Sequence, residues 1–261
     1  MKNKLFKNLF IFLTFVFLYL PIIILVVYSF NSSKMNIVFE NFTLYWYKNL
    51  FNNKELLEAF FNTMIIACVS TVISTVIGVL GAVGIKKYDF PFKNFINGLI
   101  YIPIVIPEIV LGISLLSVYT LMRLELGMFT LILSHIAFSI PFVIVSVRST
   151  LNDRLKSCEE AAKDLGADSY NIFTKITLPQ IWPGVVSGAT LAFTLSLDDV
   201  VISYFTAGPG SNTLPLKIYS IIKTGITPDV NALTTLMLLC TTIILTISVF
   251  VQGRKIAGDL K

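Results

Sequence analysis

The chain has 261 residues, 55% of them hydrophobic and 13% charged, and its 20 Lys and Arg against 15 Asp and Glu give a formal charge of +5. The charged share is about half the usual one, and the composition as a whole, with 14 Gly and 3 Cys, excludes a disordered chain, a collagen-like chain and a disulfide scaffold. It also leaves too few polar residues to cover a soluble domain of this size, and the apolar residues fall in long blocks, as in a multi-span membrane protein.

A spanning helix needs about 20 mostly apolar residues. Six stretches qualify, at roughly 9–30, 59–85, 95–122, 129–147, 181–205 and 232–251. Lys2, Lys4 and Lys7 precede the first, as in a signal peptide. Its apolar run is too long for one, and no small-x-small cleavage site follows, so it reads as an uncleaved first span. Between the first two spans, residues 41–58 carry Phe42, Tyr45, Trp46, Tyr47 and Phe51, which predicts a short helix at the membrane–water interface. In the third span Pro103 and Pro107 weaken the helix just before Glu108. After the fifth, Gly208, Pro209, Gly210, Pro215 and Pro228 preclude one regular helix over 208–228. That segment either folds back over the outer mouth or forms a plain solvent loop.

Orientation follows from the basic residues. Fourteen of the 20 lie before the first span, in the alternate connections around Lys86 and Lys163, and after the last span. This places both termini in the cytoplasm. No basic-aromatic patch stands on a soluble domain, so nucleic-acid binding is not indicated. Cys68, Cys158 and Cys240 are dispersed without C-x-x-C spacing, which indicates neither zinc nor a disulfide. The single histidine, His135, cannot make a metal cluster alone and reads as structural.

The connection 148–180 is the most polar part of the chain. Ser157 and Glu160 fit the S-x-x-E capping box, Ala161, Ala162, Lys163 and Leu165 favour helix, and Gly166 can stop it in the left-handed conformation. Asp168 can cap a second helix through about Ile176, and Pro179 is expected to break the chain before the fifth span. Helices this short are unstable alone, so they pack either on the spans or on a soluble partner.

Glu160-Ala161-Ala162, then Gly166, then nine residues and Ile176-Thr177-Leu178-Pro179 match E-A-A-x-x-x-G-x₉-I-x-L-P at every defined position. In this the chain resembles the EAA-loop permease subunits of bacterial ABC importers. The resemblance implies coupling helices that dock into the ATP-hydrolysing subunit. The docking residues would be Ser157, Glu159, Glu160, Ala161, Ala162, Asp164, Leu165, Gly166, Ala167, Ile176, Leu178 and Pro179. ATP hydrolysis would belong to a separate partner, because the chain has no G-x-x-x-x-G-K-[ST] loop.

Acidic residues inside apolar spans are costly and usually face a cavity or a partner. Glu108, Asp198 and Asp199 are of this kind. Ser187, Thr190, Thr194 and Asp198 follow helical steps along one stripe, and Ser196, Asp199 and Ser203 along a neighbouring one. Together they suggest a wet, anionic wall suited to a cation. The run Leu195-Ser196-Leu197-Asp198-Asp199-Val200-Val201-Ile202-Ser203 is similar to the LSLDD segment of polyamine importers. So are Leu214 to Ser220, Pro228 to Ala232, Tyr19-Leu20-Pro21 and Tyr28-Ser29-Phe30-Asn31. This likeness points to the second permease subunit of a spermidine/putrescine importer. It implies substrate-path roles for Glu108, Thr194, Asp198, Asp199 and Ser203.

The expectation is an all-α integral membrane protein of six transmembrane helices with a helix-turn-helix coupling loop. It forms one transmembrane domain over 1–261, with a core of about 59–251. The implied partners are two ABC ATPase subunits, a homologous permease, an extracytoplasmic substrate-binding protein, the lipid bilayer and a polyamine. No cofactor, metal or catalytic residue is expected, and the location is the bacterial inner membrane. The alternatives are an ABC permease for iron or thiamine, an intramembrane aspartyl protease, and a proton- or sodium-driven cation carrier. Asp198 and Asp199 cannot form a protease dyad with each other, since adjacent helical residues point about 100° apart.

Overall fold

The computed structural model describes residues 2–33, 38–224 and 228–258. Of the basic residues in the orientation argument, Lys34 and Lys261 lie outside the described residues. The described chain is helical, with an isolated bridge pairing Asn31 and Phe42. It divides into two compact units, one of residues 1–57 and 217–242, the other of 58–216 and 243–261.

The first unit holds α1 (Lys2–Tyr28), α2 (Tyr45–Asn52), α11 (Leu214–Thr224) and much of α12 (Pro228–Gly258). Side chains of α1 from Phe6 to Leu20 are exposed, as a lipid-facing span requires. The chain then turns at the buried Asn31, which donates to Val38 O at 2.8 Å and accepts from Glu40 N at 2.9 Å. Trp46 Nε1 donates to the Asn31 carbonyl at 2.6 Å, and Ser29 Oγ meets Tyr47 OH at 2.6 Å. These bonds fix α2, a short helix where the aromatic cluster predicts one. Lys217 pairs with Glu55 at 2.7 Å.

The second unit is built on α3 (Lys54–Lys87), α6 (Met128–Arg148) and α9 (Leu178–Asp198). Its core joins Val79, Ala82 and Val83 of α3 to Val143, Ile144 and Val147 of α6 and Ile181 and Val185 of α9. The backbones approach closely because glycines face the contacts. A Cβ at Gly78 would lie 2.6 Å from Val143 Cγ1, and one at Gly188 3.1 Å from Val143 Cα. Gly184-Val185-Val186-Ser187-Gly188 is thus a small-xxx-small contact, the usual way to pack helices where burial alone gives little drive.

Two of the expected spans are broken. The third divides into α4 (Lys93–Val105) and α5 (Glu108–Leu121), bent by 112° at the Ile106–Pro107 break. Pro103 and Pro107 each lack the amide that would continue the ladder, and Ile106 is extended at ψ 138. The fifth ends as α9 at Asp198 and resumes as α10 (Val201–Thr206). Four described helices are long and apolar enough to cross a membrane, or five if the bent pair is one span. Polar residues such as Gln180, Thr190 and Asp198 make α9 less apolar, yet at 21 residues it matches α6 in length.

Segment 208–214 is tied to the start of α3. Asn62 Nδ2 donates to Asn212 O at 3.1 Å and Leu214 N donates to Thr63 Oγ1 at 2.8 Å. The expectation that 208–228 is not one helix holds, since only 214–224 is helical before the residues left undescribed.

Candidate functional site

The polar loop forms α7 (Asp153–Asp164), α8 (Ser169–Ile172) and a π-turn (Phe173–Thr177) running directly into α9. The start of α7 corrects the capping-box reading. Asn152 is the cap, accepting from Leu155 N at 3.0 Å, while Ser157 sits one turn inside and bonds Asp153 O at 3.2 Å. Asn152 wins because it satisfies an orphan amide a turn earlier.

Gly166 ends α7 at φ +83. Gly166 N bonds Lys163 O at 2.9 Å and Ala167 N bonds Ala162 O at 3.0 Å, the two bonds of a Schellman turn. Asp168 then accepts from Asn171 N at 2.8 Å, and this backbone bond holds its carboxyl below the usual aspartate value. The expected second helix is α only to Ile172 and widens into the π-turn. Nor does Pro179 break the chain. It stands in the first turn of α9, where its missing amide costs little.

The loop has two faces. Leu155 is buried in the core and Glu159, one turn on, also points inward, toward Lys87 and Thr177. Ile176 and Leu178 pack against the same core. Glu160, Ala161, Asp164 and Gly166 are exposed, and Leu165 is 89% and Tyr170 74% exposed. The residues expected at one docking surface are therefore divided: the α7 tip faces outward, and Glu159, Ile176 and Leu178 hold the loop to the spans. Ala162 and Ala167 are half-buried beneath the tip, and Pro179 is exposed.

The carboxylates sit at the helix breaks. Glu108 is the first residue of α5, exposed, and within electrostatic reach of Asp198 and Asp199. A carboxylate at a helix N-terminus meets unpaired amides and the positive dipole end. Asp198 is exposed at the last position of α9, on the stripe with the exposed Ser187 and the half-buried Thr190 and Thr194.

Asp199 and Ser203 are placed otherwise. Both are buried, so the expected wet wall does not extend to them in this conformation. Asp199 accepts from Ile202 N at 3.1 Å, Ser203 N at 2.7 Å and Ser203 Oγ at 2.8 Å, which starts α10. This local capping ends one helix and begins another, which is why the fifth span is not continuous.

His135 lies behind them, fully buried. Its Nδ1 meets Ser196 Oγ at 2.6 Å and its Nε2 meets Ser203 Oγ at 3.2 Å and Asp199 Oδ2 at 3.6 Å. The Ser203 proton is engaged by Asp199, so Nε2 carries the proton toward Ser203. Ser70 of α3 extends the chain to Ser196 at 3.2 Å. His135 is structural, as the sequence suggests, but its partner Asp199 is far in sequence and no spacing shows the pair. A G-x-x-x-G spacing marks the Gly184/Gly188 pair, a signal the sequence expectations above leave unused, whereas Lys87 carries no local signal for its contact with the loop.

Broken helices around a packed α6–α9 pair, carboxylates at the breaks and a two-faced polar loop fit a membrane transport subunit. Residues 74–257 match the family described as binding-protein-dependent transport system inner membrane component. The chain belongs to that family, the permease subunits of ABC importers. It is 42% identical to the spermidine/putrescine transport system permease protein PotC of Escherichia coli (strain K12), over 99% of this chain and 98% of that protein. It is 39% identical to the putrescine transport system permease protein PotI of the same strain, over 87% of this chain and 83% of that one. A bacterial ABC transporter involved in the import of the acidic polysaccharide alginate shares the fold, with a TM-score of 0.72 at 15% identity over 95% of this chain and 96% of the other.

Proposed function

We propose that this permease carries polyamines, spermidine or putrescine, as half of the membrane pathway of an ATP-driven importer. The observation that carries the substrate reading is 42% identity to PotC over 99% of the chain, combined with exposed Glu108 and Asp198 at two helix breaks within electrostatic reach of each other. A flexible polycation needs carboxylates to replace its water shell, and two breaks supply them without a metal. Thr194, on the same stripe as Asp198, adds a hydroxyl to the path. Asp199 and Ser203 support the path by fixing the break.

Residues 1–261 form one transmembrane domain of six spans, with α4–α5 and α9–α10 each counted as one. Both termini lie in the cytoplasm of a bacterium, at its inner membrane. Glu160, Ala161, Asp164, Leu165 and Gly166 at the α7 tip enter the ATPase, of which the importer holds two copies. A homologous permease completes the pathway and an extracytoplasmic binding protein delivers the substrate.

The test is ATP-dependent uptake of labelled spermidine by vesicles holding the complete complex. Uptake competed by putrescine and weakened in Asp198→Asn is expected. An intact complex with active ATPase and no polyamine uptake would overturn the substrate reading.

A further inference from the structure

One carboxylate joins three helical elements at the cytoplasmic side. Glu159 Oε1 of α7 lies 2.8 Å from Lys87 Nζ, at the last residue of α3. Thr177, the last residue of the π-turn before α9, donates its hydroxyl to the same oxygen. Lys87 Nζ is also 3.5 Å from Thr177 Oγ1, closing the triangle. Thr177 is fully buried, and the Glu159 side chain is 14% exposed. The other ion pair of α7, Lys156 with Glu160 at 3.8 Å, is exposed and stays within the helix, so it links nothing to the spans.

We propose that Lys87, Glu159 and Thr177 form the joint through which movement of the docked α7 enters α3 and α9. The inference rests on the permease reading above. Leu155 holds α7 by apolar contact, which permits sliding. A charge-assisted bond is short and directional, so displacement of α7 must either carry α3 and the start of α9 with it or separate a half-buried ion pair. The π-turn lets one element serve both ends: Thr177 faces Glu159 while Leu178 N, bonded to Phe173 O, already continues into α9. These are positioning residues, distinct from the outward tip that would meet the ATPase.

The experiment uses the assembled complex in liposomes with its ATPase and binding protein. Two ratios are read: uptake per ATP hydrolysed, and stimulation of ATPase by the binding protein, which crosses the same joint in reverse. Glu159→Gln and Lys87→Met are expected to retain the bound ATPase and basal hydrolysis while both ratios fall about 5- to 10-fold. The charge swap, Lys87→Glu with Glu159→Lys, is expected to recover most of each ratio. Wild-type ratios in the single variants would overturn the joint and leave the permease reading standing. So would loss of the ATPase from both singles and from the swap, which would mark a fold requirement alone. A wild-type complex whose ATPase ignores the binding protein would overturn the permease reading and the joint with it.

Discussion

Asp198 and Asp199 are adjacent carboxylates whose removal should have opposite consequences. Asp199 accepts two backbone amides and the Ser203 hydroxyl, and its Oδ2 lies 3.6 Å from His135 Nε2. Asparagine offers one oxygen and one amine, so in Asp199→Asn a donor must face a donor. With the oxygen toward Ser203, the amine meets the Ile202 amide; reversed, it meets the Ser203 amide and the histidine. One unsatisfied buried amide and a weakened charge-assisted bond cost about 1–3 kcal/mol. For a chain of this size that lowers the melting temperature by roughly 3–10 °C. Asp198 is exposed, and Asp198→Asn should stay within about 0.5 kcal/mol, or roughly 2 °C. Thermal unfolding of the purified complex, read beside the KM for spermidine uptake, separates the two. Asp198→Asn is expected to raise KM with melting unchanged, and Asp199→Asn to lower melting. Equal melting of the two variants would refute the assignment of Asp199 to the break and Asp198 to the path.

Gly166→Val forces a β-branched residue to φ +83, at about 1–3 kcal/mol, and should lower either ATPase co-purification or uptake per ATP; normal values of both would count against the docking tip. Gly184→Val places a Cβ 2.8 Å from Thr150 Cγ2 and 3.0 Å from the Ser146 carbonyl, so it should cost about 1–3 kcal/mol and lower the melting temperature, whereas Gly98→Ala, with nothing within 4 Å, should change it far less. The carboxyl of Asp168 is held below its usual value by the Asn171 amide, so the cap contributes above the ordinary aspartate pKa and is lost as pH falls through the depressed one; protection of the Asn171 amide, measured against its intrinsic exchange rate at each pH, should therefore fall below about pH 4, and protection that stays constant through that range would refute the cap.

The elements most legible in the sequence were those set by local chemistry. The four long apolar helices announce themselves by length, and the α2 aromatics by their clustering. Gly166 and Asp168 are legible because a helix stop and a helix cap are decided by one residue and its near neighbours. Ser157 misleads for the same reason: its pattern is right, but Asn152 competes for the same role five residues earlier. The two broken spans were half-legible. Pro103 and Pro107 show that the ladder is weakened, yet a bend of 112° depends on what α5 packs against. At Asp199 the sequence shows a charge in an apolar run. Whether it faces water or caps a new helix is decided by Ser203 and by His135, from another helix. The division of the EAA loop into two faces is likewise tertiary, because only the folded position of Lys87 turns Glu159 inward.

The breaks explain two of the three carboxylates among the apolar helices. Each stands at a helix terminus rather than mid-helix, but the termini differ in sign. Glu108 begins α5 and Asp199 caps α10, so amides and the positive dipole end offset both charges. Asp198 closes α9, where the carbonyls leave a partial negative charge, and so adds an anion to an end that already repels one. A helix that kept such a residue for stability alone would gain from asparagine or serine at that position. On the proposed reading a bound polycation would reverse the balance, because it would pair with the carboxylate and the carbonyl ends together. Of the three carboxylates, Asp198 is therefore the one whose charge the fold leaves unexplained, while Asp199 and Glu108 are explained by it.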